Sequence, residues 1–248
     1  MSMRRIFIAL LVTVASFASG VVGSAQGNLL VNPGLEEGEF GPYSGRGRGD
    51  LTVPAGWDVW LGQGEISSEN FFNRGDRVYM FPHTGPGPSP VEGGLALNVN
   101  GGFVQYNAAI YQSVSVSPES NVRAEAASQI KVCNTEDGGP GFCGSDPSSG
   151  GQTRIGIDPD GGSDPNAPEI VWSAWLRPHD RWDRQAVEAT ATGGTVTVFL
   201  YMTQDAPYTN NQVWWDDAKL EVGGGGGAAP EAEGGDGGSV SAPAPPPN

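Results

Sequence analysis

Short runs of alternating apolar and polar residues recur along this chain, and Gly, Pro, Asn or Asp breaks each one before a helical period can establish itself. Leu95–Val99 alternates, as does Ile110–Val116. Between Val122 and Val132 the period of two sets Val122, Ala124, Ala126, Ser128, Ile130 and Val132 on one face, with Arg123, Glu125, Gln129 and Lys131 on the other. Thr195–Met202 turns Val196, Val198, Leu200 and Met202 inward and Thr195, Thr197, Phe199 and Tyr201 outward. Many such strands in one acidic chain predict an all-β fold, an antiparallel β-sandwich of jelly-roll type.

The chain opens as a secretory leader over residues 1–25. Arg4 and Arg5 form a basic start, Ile6–Val22 is largely apolar, and Gly23-Ser24-Ala25 offers small residues for cleavage before Gln26. A retained anchor is the alternative, but the stretch is short for a span and holds Thr13, Ser16, Ser19 and Gly20. One domain is expected over 26–222, followed by a flexible tail over 223–248 that runs from Gly223–Gly227 to Pro243–Asn248. The formal charge is −15, and losing Arg4 and Arg5 makes it more negative still. No basic stripe exists for phosphates, which argues against nucleic acid. The expected product is a monomer, secreted or at the cell surface, with no membrane span. In that compartment Cys133 and Cys143 read as a local disulfide stabilising its loop by about 2–3 kcal/mol, with metal ligation the poorer alternative.

Two acidic segments bracket the domain, Asn28–Glu37 and Val213–Val222. The second reads as a strand with Trp214, Asp216, Ala218, Leu220 and Val222 on one face, so Asp216 shares the register of core residues. A lone carboxylate there costs several kcal/mol (on the order of 2–7 kcal/mol even for a neutral polar group) without a partner. Glu36 follows a Pro-Gly turn, and terminal strands of a sandwich often lie side by side. A shared calcium ion would satisfy both acids; the alternative is that both reach solvent at the sheet edge.

The order of several motifs resembles the galactose-binding-domain-like jelly rolls, particularly the cenC-type carbohydrate-binding modules. They are the Asn32-Pro33-Gly34-Leu35-Glu36 opening, Pro54-Ala55-Gly56-Trp57, Glu92-Gly93-Gly94-Leu95-Ala96-Leu97, Ile110–Val116 and Trp215-Asp216-Asp217-Ala218-Lys219-Leu220. The resemblance covers Asn28–Val222. It implies a structural calcium held by the Gly34 carbonyl, Glu36, Glu92, the Leu95 carbonyl and Asp216, with Asp217 in place of Asp216 if the register differs by one. It also implies a non-catalytic module whose partner is a polysaccharide or cell-surface glycan.

Sugar binding needs aromatic faces and flanking polar groups. Trp60, Tyr111, Phe199 and Tyr201 are the candidate rings, and Arg123 and Gln129 the candidate flanking groups. Arg154 is a further flanking group, and Trp172, Trp175 and Trp182 are possible platform residues near turns. Trp57 and Trp214 are expected in the core. Asp158–Pro165 lacks the alternating ligands of an EF-hand and reads as an acidic turn, a second calcium site being the lesser alternative. Arg48-Gly49-Asp50, an integrin-type tripeptide in a glycine-rich stretch, carries little weight. His83 and His179 adjoin prolines and belong to no catalytic motif. The expected function is therefore glycan binding by aromatic stacking. A structural or adhesive surface protein without a sugar site is the alternative, and a glycoside hydrolase a distant third.

Overall fold

The computed structural model describes residues 27–36, 51–62, 78–83, 87–134 and 143–223, and the backbone alone of 40–42. The leader, the tail beyond Gly223 and the Arg48-Gly49-Asp50 tripeptide lie outside the described residues.

The strands are β1 (Phe40–Pro42), β2 (Thr52–Pro54), β3 (Asp58–Leu61), β4 (Tyr79–Pro82), β5 (Leu97–Asn100), β6 (Tyr106–Ser115), β7 (Asn121–Cys133), β8 (Gln152–Asp158), β9 (Val171–Trp172), β10 (Asp183–Thr190), β11 (Thr195–Gln204) and β12 (Asn210–Val222). β1 and β2 form a small ribbon, and the rest divide into two five-stranded sheets, ordered β10-β7-β12-β5-β4 and β3-β6-β11-β8-β9. Every strand pair is antiparallel. The protein is an antiparallel β-sandwich of jelly-roll type. Among the described residues the only helical turn is Pro147–Ser149, and no helix is long and apolar enough to cross a membrane.

The alternation read from sequence builds the core. Val122, Ala124, Ala126, Ile130 and Val132 of β7 face Ile155 and Ile157 of β8 and Val196, Val198, Leu200 and Met202 of β11 across the space between the sheets. Small residues on β7 opposite branched ones on β11 let the two layers interdigitate. Trp57 joins this core, and its indole donates to the Asn32 carbonyl at 3.2 Å.

β12 departs from the expected register. Its pairing with β7 slips between Asp216 and Lys219, where one extra residue is accommodated and Asp217 takes a φ of 47°. The bulge reverses the alternation. Before it Val213 and Trp215 face the core; after it Ala218 and Leu220 do. Trp214 and Asp216 therefore lie on the other side of β12, correcting the single face read from period two. Trp214 is still buried, covered edge-on by His83 at 5.6 Å.

Cys133 at the end of β7 is joined to Cys143, with Cα atoms 6.1 Å apart. The nearby segment Pro178–Asp180 clamps β7, since Ile130 donates to the Pro178 carbonyl at 2.9 Å and accepts from Asp180 at 3.0 Å. Lys131 pairs with Asp180 at 2.7 Å.

Candidate functional site

β11 is the middle strand of its sheet, so its outward residues have neighbours on both sides. Tyr201 lies opposite Ala109 of β6 and Arg154 of β8, and Ala109 lies opposite Trp60 of β3. One step along, Phe199 lies opposite Tyr111 and Gly156, flanked by Asp58 of β3 and Trp172 of β9. Two rows thus cross the sheet, one Trp60–Ala109–Tyr201–Arg154 and the other Asp58–Tyr111–Phe199–Gly156–Trp172. The small residues let the rings fold inward. A Cβ on Gly156 would come within 2.5 Å of the Trp172 ring, so only glycine admits that indole here.

The rings touch as a continuous patch. Trp60 is 6.0 Å from Tyr201, Tyr111 is 5.5 Å from Phe199, and Trp172 is 6.1 Å from Phe199 and 5.5 Å from Tyr201. Trp175 meets Tyr201 at 5.9 Å. The chain after β9 holds Trp175 there, because Ser173 and Leu176 bond to Ile155 and Thr153 of β8. The Arg154 guanidinium carbon sits 3.8 Å from the Trp172 ring centre, 4.3 Å from Trp175 and 5.0 Å from Tyr201. Burial lowers the Arg154 pKa, partly opposed by Tyr201, and burial raises the Tyr201 phenol. Among the described residues no carboxylate pairs with Arg154, and its Nε is buried without an acceptor.

Outward register does not mean exposure here. Phe199 is 0% exposed and Tyr201 7%, whereas Trp175 is 39% exposed and Trp60, Tyr111 and Trp172 are half-buried. Phe199 and Tyr201 form the floor and the others the rim. Trp60, Tyr111, Phe199 and Tyr201 come together as the sequence reading grouped them, and Arg154, Trp172 and Trp175 join them. Arg123 and Gln129 do not. Both lie on β7 in the opposite sheet, where Arg123 pairs with Glu125 at 2.6 Å and Glu188 at 3.6 Å. Alternation tells which face a residue occupies, not which sheet its strand joins. Trp182 is also elsewhere, donating to the Ser89 carbonyl at 2.8 Å. Gly156 went unremarked in the sequence, although a glycine inside a strand pattern signals close approach.

A second cluster lies where the chain ends meet. Leu29 donates to the Leu220 carbonyl and Ala218 to the Pro33 carbonyl, both at 2.9 Å, so the opening segment runs along β12. Asp216 is fully buried; its Oδ2 accepts the amides of Val91 at 2.6 Å and Glu92 at 3.2 Å, and its Oδ1 that of Asp217 at 2.7 Å. Glu36 accepts the Gly94 amide at 2.9 Å, and a Cβ on Gly93 would fall 1.7 Å from its Oε1. Burial chiefly, with Glu36 adding its charge, raises Asp216 to about 6. A hydrogen bond and the charge of Asp217 raise Glu92. Burial would raise Asp217 too, but Arg184, Glu92 and Lys219 together bring it below its ordinary value. The donors are hard oxygens of the type calcium takes, and Asp216 has used three of its roughly four lone-pair directions on amides, leaving one for an ion. Among the described residues, however, the carboxylates of Glu36, Glu92 and Asp216 do not gather within 4.8 Å of one another as those of the acidic turn do.

The acidic turn gathers a third group. Asp158, Asp160 and Glu169 each place one carboxylate oxygen within 4.8 Å of the others.

Ser145 Oγ lies 2.7 Å from His179 Nδ1, the described Ser–His contact nearest to a catalytic pair. The hydroxyl also accepts the Val132 amide at 2.8 Å, and the buried His179 Nε2 has no carboxylate to orient it. The contact is a brace. Burial lowers the His179 pKa. Below the free imidazole value of about 6.5 the unfolded chain takes the proton first, so stability falls on acidification until the folded value is passed. From about pH 7.5 to 5.5 the melting temperature of the natural chain should change less favourably than that of His179→Gln, and parallel curves would refute this assignment. The shared background holds two opposed slopes: His83, also lowered by burial, loses stability on acidification, and Asp216, raised to about 6, gains it.

No family model and no curated protein matches the chain. Among solved structures, TmCBM61 in complex with β-1,4-galactotriose aligns with a TM-score of 0.46 at 15% identity, over 78% of this chain and 97% of that one. The Stig cyclase Fisc from Fischerella sp. TAU aligns with a TM-score of 0.48 at 13% identity, over 81% of this chain and 98% of that one. A family 16 carbohydrate-binding module aligns with a TM-score of 0.34 at 14% identity, over 53% and 79%. The neighbours include carbohydrate-binding modules and enzymes alike, and overlaps this loose carry no inference about ligand or activity.

Proposed function

We propose that this chain is an exported, non-catalytic glycan-binding protein whose site is the aromatic face of the β3-β6-β11-β8-β9 sheet. One observation carries the reading: three half-buried rings, an exposed indole and an unpaired guanidinium share one outer sheet face. Pyranose rings present apolar C–H faces that stack on aromatics, and their oxygens need donors such as Arg154. Phe199 and Tyr201 support the rim without touching the ligand. Calcium, where bound, supplies positive charge to the acids at Glu36, Glu92 and Asp216, joined by the Gly34 and Leu95 carbonyls; Asp217 is already engaged by Arg184 and Lys219, which favours Asp216 as the ligand. There it ties the opening segment to β12.

A structural or adhesive role without a sugar site is the second reading. It is favoured by the closure of Phe199 and Tyr201, which makes the patch partly a small core of its own. A glycan array probed with the mature chain separates the two. The first reading expects specific binding that Trp60→Ala weakens about tenfold, since one well-placed ring contributes roughly 1.5 kcal/mol including area. An array blank across neutral and acidic glycans leaves the structural reading standing.

A further inference from the structure

The acidic turn between β8 and β9 holds a feature that hydrogen bonding does not explain. Asp158, the last residue of β8, is 0% exposed. Its Oδ1 accepts the Asp160 amide at 2.8 Å, but its Oδ2 is buried with no donor. Leaving a buried carboxylate oxygen unpaired is costly, and native structures rarely do it without a partner. Two further carboxylates, Asp160 and Glu169, converge on it, all three ligand atoms lying within 4.8 Å of one another. None of the three forms an ion pair with a cation among the described residues. Repulsion should splay such a group, yet backbone geometry holds it in place. Pro159 accepts the Thr192 amide at 3.1 Å, Asp160 bonds to the Thr192 hydroxyl, and Gly161 takes a φ of 78°. A Cβ on Gly162 would come within 2.6 Å of Asp158 Oδ2, so the turn leaves no room there for a side chain.

We propose that Asp158, Asp160 and Glu169 bind a calcium ion, distinct from any ion at Glu36 and Asp216. Calcium is favoured because it accepts the irregular, flexible shells a turn provides, whereas magnesium demands a near-ideal octahedron. Three carboxylates supply part of the shell, and turn carbonyls and water complete it. Two of the three acids are exposed, which places the dissociation constant in the range of extracellular modules, about 10⁻⁴–10⁻³ M. The ion would close the base of the loop joining β8 to β9, since Asp158 ends β8 and Glu169 stands two residues before Val171. Trp172 of β9 covers Arg154, Phe199 and Tyr201, so the ion would also hold one wall of the aromatic face.

Calcium alone is the probe, titrated by calorimetry and by equilibrium dialysis into the chelator-treated mature chain. Glu169→Gln should lose one calcium per chain, or bind it at least tenfold more weakly. That residue is exposed, so the substitution leaves folding intact, as circular dichroism would verify. Asp158→Asn should lose the same ion, and Asp216→Asn should keep it. If Glu169→Gln binds the same number of calcium ions with the natural affinity, the site is wrong. It is equally wrong if the natural chain binds none. The readout is independent of glycans, so failure of the sugar reading leaves it untouched.

Discussion

Phe199→Ala lowers the melting temperature by roughly 6–20 °C and takes ligand binding with it, whereas Trp175→Ala leaves the melting curve in place and weakens binding alone. The difference follows from position. Phe199 is fully buried beneath Tyr111 and Trp172, and truncating such a ring leaves a cavity costing about 3–5 kcal/mol. For a domain of this size each kcal/mol is worth roughly 2–4 °C. The floor would collapse and the rim would lose its geometry. Trp175 stands 39% exposed at the edge, so its loss opens no interior volume. Tyr201→Ala belongs with Phe199, although its outward register alone suggests a neutral substitution. Thermal melts paired with binding isotherms on the three variants check the division. If Phe199→Ala melts like the natural chain, or Trp175→Ala keeps full affinity, floor and rim have been misassigned.

The fold was legible because its signal is local. Period-two alternation in β6, β7 and β11 survives intact from sequence to structure, and the core residues expected from β7 and β11 are the ones found. The failures lie where a local pattern meets a non-local fact. Nothing in Trp214-Trp215-Asp216-Asp217 announces that an extra residue will be accommodated there, where the Ala218 amide bonds to the Pro33 carbonyl of the opening segment. Arg123 and Gln129 were read with the correct face but on the wrong sheet, because pairing partners are chosen across the whole chain. Phe199 and Tyr201 read as outward and are nevertheless covered, since the segment carrying Trp172 and Trp175 folds back over them. That the opening segment would lie beside β12 was visible in advance from the way the two acidic segments bracket the domain. The convergence of Glu169 on Asp158 was not, because a loop separates them and its turns set the approach.

Calcium should raise the melting temperature of the chelator-treated chain, and Asp216→Ala should both lower the starting value and abolish most of the rise. At free calcium about a hundredfold above the dissociation constant, linkage contributes roughly 2.7 kcal/mol, or about 5–10 °C for a domain of this size. Asp216 matters twice. Without metal its carboxylate accepts three backbone amides that hold the 91–94 loop and the bulge of β12. Alanine would strand those amides at a cost of about 1–3 kcal/mol for each that water cannot reach, while removing a buried charge that is itself unfavourable. Loss of three acceptors outweighs relief of one imperfectly solvated carboxylate, so the net effect is destabilisation. Asp216→Asn keeps the shape and one acceptor oxygen, so it should fall between the natural chain and the alanine variant while responding weakly to calcium. Glu36→Gln should preserve the metal-free stability more nearly, since a single amide of the exposed 91–94 loop depends on it, yet blunt the calcium response by removing a charged ligand. An ion felt at both Glu36 and Asp216 requires the chain ends to be held together, as the Leu29–Leu220 and Ala218–Pro33 bonds hold them. If calcium leaves the melting curves of the natural chain and the Glu169→Gln variant unmoved, no ion joins the chain ends. The three amides then account for Asp216 by themselves.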